Sequence, residues 1–208
     1  MKNSYLRICP LPKTYTIIIG MLLIPQWVWA ASGKIGSCYW SLAGGTLTIS
    51  GNGSMGNDPT ASKDWDDAVD ITTIHTIRIK SEVSSASFRG FYYKNLEKVY
   101  IEDGTEPLDI NNDAFNGTNV KEVYLGRNLS YNAYTSFIMD NGYYGPFQNV
   151  SSITELTISN FVTEVHDYCF DGCSGLTKVT FPFNFDWRKS ELNCVWELKF
   201  VVGLETFL

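Results

Sequence analysis

The sequence predicts a β-dominated repeat solenoid, on three observations. An opening of the form φ-x-x-φ-x-φ, with φ apolar, occurs five times: Ile74-x-x-Ile77-x-Ile79, Leu96-x-x-Val99-x-Ile101, Val120-x-x-Val123-x-Leu125, Ile153-x-x-Leu156-x-Ile158 and Leu176-x-x-Val179-x-Phe181. The starts, at 74, 96, 120, 153 and 176, lie 22, 24, 33 and 23 residues apart. A phenylalanine also marks the second half of each of the first four units, at Phe88, Phe115, Phe147 and Phe170. A period in the twenties around such an opening is the pattern of a leucine-rich repeat, in which each unit buries its apolar face against the next. The expected fold class is an α/β-type repeat, β-dominated. It is a leucine-rich repeat solenoid with a parallel sheet, short convex helical or 3-10 pieces and an N-terminal β-hairpin cap.

Residues 1–30 read as a signal peptide rather than as part of the fold. Lys2, Arg7 and Lys13 make a basic start, Ile17–Trp27 an apolar stretch, and Val28-Trp29-Ala30 a cleavage site. The apolar stretch is short of the roughly twenty residues that span a bilayer. Membrane contact is therefore expected only through export or an uncleaved signal. Ile35-Gly36-Ser37-Cys38 is similar to a lipoprotein box, but Lys34 and the gap after the apolar stretch count against it. Cleavage after Ala30 removes three basic residues and no acidic one, taking the net charge from −6 to −9. Such an acidic chain lacks the basic stripe that phosphate contacts need, which excludes nucleic acid as the expected partner. Cys38, Cys169, Cys173 and Cys194 survive cleavage. Export permits disulfides among them, but a chain of this size buries a core without staples. Buried free thiols are the preferred reading.

Residues 31–73 read as an N-terminal cap. Ala31–Gly36 reads as a polar linker, and Cys38–Leu42 and Thr46–Ser50 as two strands around a Gly44-Gly45 turn. A first repeat has no neighbour on its outer side, so a capping hairpin with Trp40, and Trp65 behind it, suits the position. Asp64, Asp66, Asp67 and Asp70 lack the spaced-oxygen pattern of a calcium loop and read as a solvated acidic segment.

Residues 74–182 are the repeats. Alternation within each opening turns Arg78, Lys98, Tyr100, Glu122, Tyr124, Glu155, Thr157, Lys178 and Thr180 outward from the parallel sheet. Gly90, Gly117 and Gly172 follow their phenylalanines by two residues, where a turn at positive φ is expected. The third repeat is 33 residues long and carries Tyr131, Tyr134, Phe137, Tyr143 and Tyr144 in an inserted loop. Insertions in a solenoid emerge on one face, often the binding face, and tyrosine is enriched at interfaces. The competing reading is that these rings pack the loop onto its own coil, and the sequence leaves both open.

The run Tyr168-Cys169-Phe170-Asp171-Gly172-Cys173-Ser174-Gly175-Leu176-Thr177-Lys178-Val179-Thr180-Phe181-Pro182 closely resembles the repeat of BspA-type leucine-rich repeat proteins. Asn112–Gly117 is similar to the same unit, and the head from Gly36 to Met55 looks like the segment preceding the repeats in that family. The resemblance implies a secreted or surface protein that binds protein partners, often as an adhesin, and it supplies no catalytic residues. Residues 183–208 leave the register. Val195, Leu198, Phe200 and Val202 suit one more strand as a cap, and an altered or truncated end is the alternative.

No chemistry stands out. His166, Cys169 and Cys173 lack the fourth ligand of a structural zinc site, and no phosphate loop or nucleophile elbow occurs. The expectation is a non-catalytic monomer without cofactor or metal. It binds an extracellular or host protein; the alternatives are a carbohydrate-binding surface protein and a structural repeat fragment without its own ligand. The candidate partner-binding residues are Tyr131, Tyr134, Tyr143, Tyr144, Tyr100 and Tyr124.

Overall fold

The computed structural model describes residues 31–56, 69–132, 134–137, 140–183, 185 and 199–202. The expected signal peptide, Trp65, Asp64, Asp66, Asp67 and Cys194 lie outside the described residues. The strands in chain order are β1 (Ala31–Ile35), β2 (Cys38–Ala43), β3 (Thr46–Ser50), β4 (Gly53–Ser54), β5 (Thr76–Ile79), β6 (Val83–Ala86), β7 (Lys98–Ile101) and β8 (Leu108–Ile110). They continue as β9 (Glu122–Leu125), β10 (Leu129–Ser130), β11 (Tyr134–Phe137), β12 (Asp140–Tyr143), β13 (Glu155–Ile158), β14 (Lys178–Phe181) and β15 (Lys199–Val202).

The repeat openings stack into one nine-stranded sheet, ordered β1-β2-β3-β5-β7-β9-β13-β14-β15. Strands β1 to β3 pair antiparallel, and every later pair is parallel. The expected hairpin is β2 and β3, turning at Gly44 and Gly45 with φ of 55° and 75°. Ala31–Gly36, read from sequence as a linker, is corrected: all but Gly36 form β1, in register from Ala31 against Leu42 to Ile35 against Cys38. Its few apolar residues hide the strand, but its backbone groups pair with β2, which would otherwise present a bare edge. Gly33 faces Trp40 so closely that a Cβ there would lie 2.6 Å from the indole nitrogen.

The return path of the coils carries the expected 3-10 pieces and, in addition, a second sheet. Among the described residues these pieces are two single-turn 3-10 helices, Ile71–Thr73 and Gly90–Tyr92. Alongside them runs a second parallel sheet of short strands, β10-β8-β6-β4. Asp70 caps the first helical turn, accepting from the Thr72 backbone N–H at 2.9 Å and from its hydroxyl at 2.6 Å. Those bonds hold its carboxyl below the usual range.

The core lies between the two sheets. Phe88, Phe115, Phe147 and Phe170 are buried and stack from coil to coil at 5.5, 4.6 and 5.0 Å between centroids. Burial of each ring contributes about 1.5–3 kcal/mol, and each ring pair about 0.5–1.5 kcal/mol more. Residues just before the rings, Ala114, Pro146 and Cys169, are small and buried. Cys38, Cys169 and Cys173 are buried, and the Cys173 thiol donates to the Phe147 carbonyl at 3.1 Å.

The turn after each phenylalanine has two solutions. Gly117 and Gly172 adopt φ of 75° and 72°, and the third repeat uses Asn149 at φ 60°, asparagine being the non-glycine residue that best tolerates that region. Gly90 departs from this rule and is not at positive φ. It begins a 3-10 turn, and a Cβ there would sit 2.5 Å from the Phe115 carbonyl carbon. Close approach of the next coil, not handedness, requires that glycine.

A buried arginine ties three coils together. Arg127 is 1% exposed, and its guanidinium donates to the carbonyls of Ser81 at 2.9 Å, Lys80 at 3.0 Å and Glu106 at 3.5 Å. Burial lowers its pKa, opposed by the charges of Glu82 and Glu102. The third-repeat insertion is not an open loop. It forms an antiparallel hairpin of β11 and β12, with Tyr134 opposite Tyr143. At the far end β15 extends the sheet in register with β14, and Phe185 packs on Phe181 at 5.9 Å.

Candidate recognition face

The exposed side of the large sheet is set by parallel register. Equivalent residues of successive coils stand side by side, about 4.8 Å apart, so a residue type repeated at one position becomes a ladder. One row runs Thr46, Thr76, Lys98, Glu122, Glu155, Lys178, and the next runs Thr48, Arg78, Tyr100, Tyr124, Thr157, Thr180.

In the second row Tyr100 and Tyr124 stack face to face, with centroids 4.4 Å apart and planes 7° from parallel. Arg78 caps the stack, its guanidinium carbon 4.3 Å from the Tyr100 centroid. The guanidinium is held by Glu102 at 3.2 Å, whose same oxygen also takes Lys80 at 2.8 Å. Burial alone would raise the Glu102 carboxyl, but hydrogen bonds and charge from Lys80 and Arg78 outweigh it and leave it lowered. At the other end the Tyr124 hydroxyl donates to Asp103 at 2.8 Å. Partial burial pushes the Tyr124 phenol up to about 12, with Asp103 adding to the shift and Ser159 opposing it.

The first row carries ion pairs between coils. Lys98 meets Glu122 at 2.7 Å and Lys178 meets Glu155 at 2.9 Å, with Lys121 on Glu97 at 2.7 Å beside them. These side chains are about half exposed, so each pair contributes at most about 1 kcal/mol. Between the rows lies a shallow groove of about 460 Å³, bordered by Lys98, Tyr100, Glu122 and Tyr124. The surface is extended, mixed in charge and aromatic at its middle.

The structure divides the six candidate tyrosines among three places. Tyr100 and Tyr124 meet on the large sheet. Tyr131 follows β10 of the second sheet, where its hydroxyl donates to the carbonyls of His166 at 2.9 Å and Asp167 at 2.7 Å. Its ring meets His166 edge-on at 6.3 Å. Tyr134 and Tyr143 pair across the hairpin backbone, and Tyr144 is half-buried just after it. Arg78, Glu102 and Asp103 complete the tyrosine stack and were not among the candidates. Arg78 occupies the Tyr100 position one repeat earlier, which is the signal that finds it. His166 is half exposed and 3.3 Å from Glu164, while Cys169 and Cys173 point into the core. Among the described residues no three His, Cys, Asp or Glu gather as a metal site.

A family model described as the BspA type leucine rich repeat region matches residues 67–141 and 140–194, in 6 copies. The chain belongs to that family. No curated protein matches it. A solved structure, a leucine-rich repeat protein from Eubacterium ventriosum ATCC 27560, is similar at 14% identity, with 84% of this chain and 85% of that chain covered and a TM-score of 0.30. A BspA-type repeat is an interaction module by class. Its stacked coils create a continuous surface instead of an enclosed cleft, which is the form this face takes.

Proposed function

We propose that this BspA-type protein is a secreted or cell-surface recognition module that binds an extracellular or host protein, as an adhesin does, without catalysis. The observation that carries the reading is the Tyr100–Tyr124 stack capped by Arg78 on the open face of the sheet. Aromatic residues and arginine are the side chains that dominate protein interfaces, and a stack already ordered loses little entropy on binding. The basic and apolar leader at residues 1–30 supports export. The β11–β12 hairpin, which carries Tyr134 and Tyr143, is the second candidate contact for the same partner.

The test is a binding screen of the purified chain against extracellular proteins and a glycan panel. Two variants run beside it, Tyr100→Ser with Tyr124→Ser, and Tyr134→Ser with Tyr143→Ser and Tyr144→Ser. The expected result is a protein ligand lost by the first variant while its circular dichroism is unchanged. A ligand lost only by the second variant moves the site to the hairpin. Binding confined to glycans overturns the protein-partner reading.

A further inference from the structure

The geometry points to a seat for a partner's arginine side chain on the Thr157 side of Tyr124, an inference that rests on the sheet face being the recognition surface. The molecule shows at one end of the ladder how it takes a guanidinium. Arg78 lies 4.3 Å over Tyr100 and is held from the side by Glu102, in the segment that follows β7. At the other end the same parts recur. Tyr124 closes the stack, and Asp103, next in sequence to Glu102, lies 2.8 Å from its hydroxyl. The register position beyond Tyr124 holds Thr157, too short to cover a phenol ring, where the position beyond Tyr100 holds Arg78.

A groove of about 300 Å³ opens there, bordered by Tyr124, Thr157, Thr180, Phe161 and Asp103. Among the described residues that border it, Asp103 is the only charged one. Phe161, 48% exposed, adds apolar surface beside the ring. An ionised carboxylate that accepts one hydroxyl keeps capacity for further donors. An aromatic face beside a lone carboxylate suits a planar cation that stacks and donates in its own plane. Arginine does both, whereas lysine is more strongly hydrated and presents a point charge. The chain's net charge of −6 favours a basic partner segment in the same sense.

The experiment titrates the chain with N-acetyl-arginine amide, and with the lysine, citrulline, phenylalanine and N-acetylglucosamine counterparts. Amide shifts of Thr157, Ser159 and Asn160 are followed by NMR. Arginine is expected to saturate with a dissociation constant of the order of 1 mM, and citrulline, its uncharged isostere, to bind at least about tenfold more weakly. Thr157→Arg places a guanidinium on the ladder in cis, as at Arg78, and is expected to abolish the arginine shifts. Asp103→Asn, a surface change, is expected to weaken them about tenfold, and it keeps the test decisive if Thr157→Arg folds poorly. Equal binding of citrulline, a stronger response to phenylalanine or the sugar, or arginine shifts that survive Asp103→Asn would overturn the assignment. Failure here with the protein ligand still lost by the Tyr100→Ser, Tyr124→Ser variant removes only the arginine seat. Retention of that ligand by the double variant removes the face itself.

Discussion

Two aromatic ladders run through this protein on the same repeat register, and they do opposite things. The inner one, Phe88, Phe115, Phe147 and Phe170, is buried throughout at centroid spacings of 4.6–5.5 Å. The outer one, Tyr100 and Tyr124, has the tighter spacing of 4.4 Å and stands partly in solvent. The inner rings close against apolar neighbours on all sides, so their removal opens a cavity. The outer rings touch each other, one guanidinium and one carboxylate, so their removal leaves surface. Stacking geometry alone therefore does not tell stability from recognition; the environment on the second side of the ring does.

The sharpest way to test this contrast is Phe115→Ala, in the middle of the inner ladder. It is expected to destabilise the fold by about 3–5 kcal/mol, measured by urea unfolding, because two ring contacts and their volume are lost together. Next in size is Arg127→Met, expected to cost roughly 2–3 kcal/mol in the same assay. The part-buried carbonyls of Lys80 and Ser81 then lose their donor. Smaller is the alkaline behaviour of Tyr124. Its phenol is raised from the ordinary 10.0 to about 12 in the folded chain. The stabilisation this represents is complete below the unfolded value and is lost as pH rises through the folded value, a window of about 10 to 12. Spectrophotometric titration should show a late-ionising component that Tyr124→Phe removes, and the variant's stability should fall less steeply over that window. Smallest is Tyr100→Ser with Tyr124→Ser, expected to change unfolding by about 1 kcal/mol. An unfolding cost as large as that of Phe115→Ala would make the outer ladder a structural element and dissolve the comparison.

Much of this architecture was legible because period and alternation are local properties of the chain. The five openings became five rungs of one sheet, and the outward residues at Lys98, Tyr100, Glu122 and Tyr124 are the exposed and half-exposed ones. What escaped depends on contacts between coils. The strand Ala31–Ile35 carries little apolar signal, and only the free edge of β2 makes it a strand. Gly90 resembles Gly117 and Gly172 in sequence, yet proximity of Phe115 is what requires it. Arg127 carries no signal in the sequence, since its acceptors lie 46, 47 and 21 residues away. The candidate tyrosines were recognisable as a class, but which of them share a surface was not.

The sequence by itself determined the repeat, its register and the identity of the family, because each coil must bury the same short apolar pattern against the next. Only the tertiary structure decided that Tyr100 and Tyr124 form a stack, that Arg78 and Asp103 stand at its two ends, and that Tyr131 is tied to the His166 turn instead. Those outcomes rest on residues more than twenty positions apart being brought within a few ångströms. A chain encodes that proximity in its register but displays it only once folded.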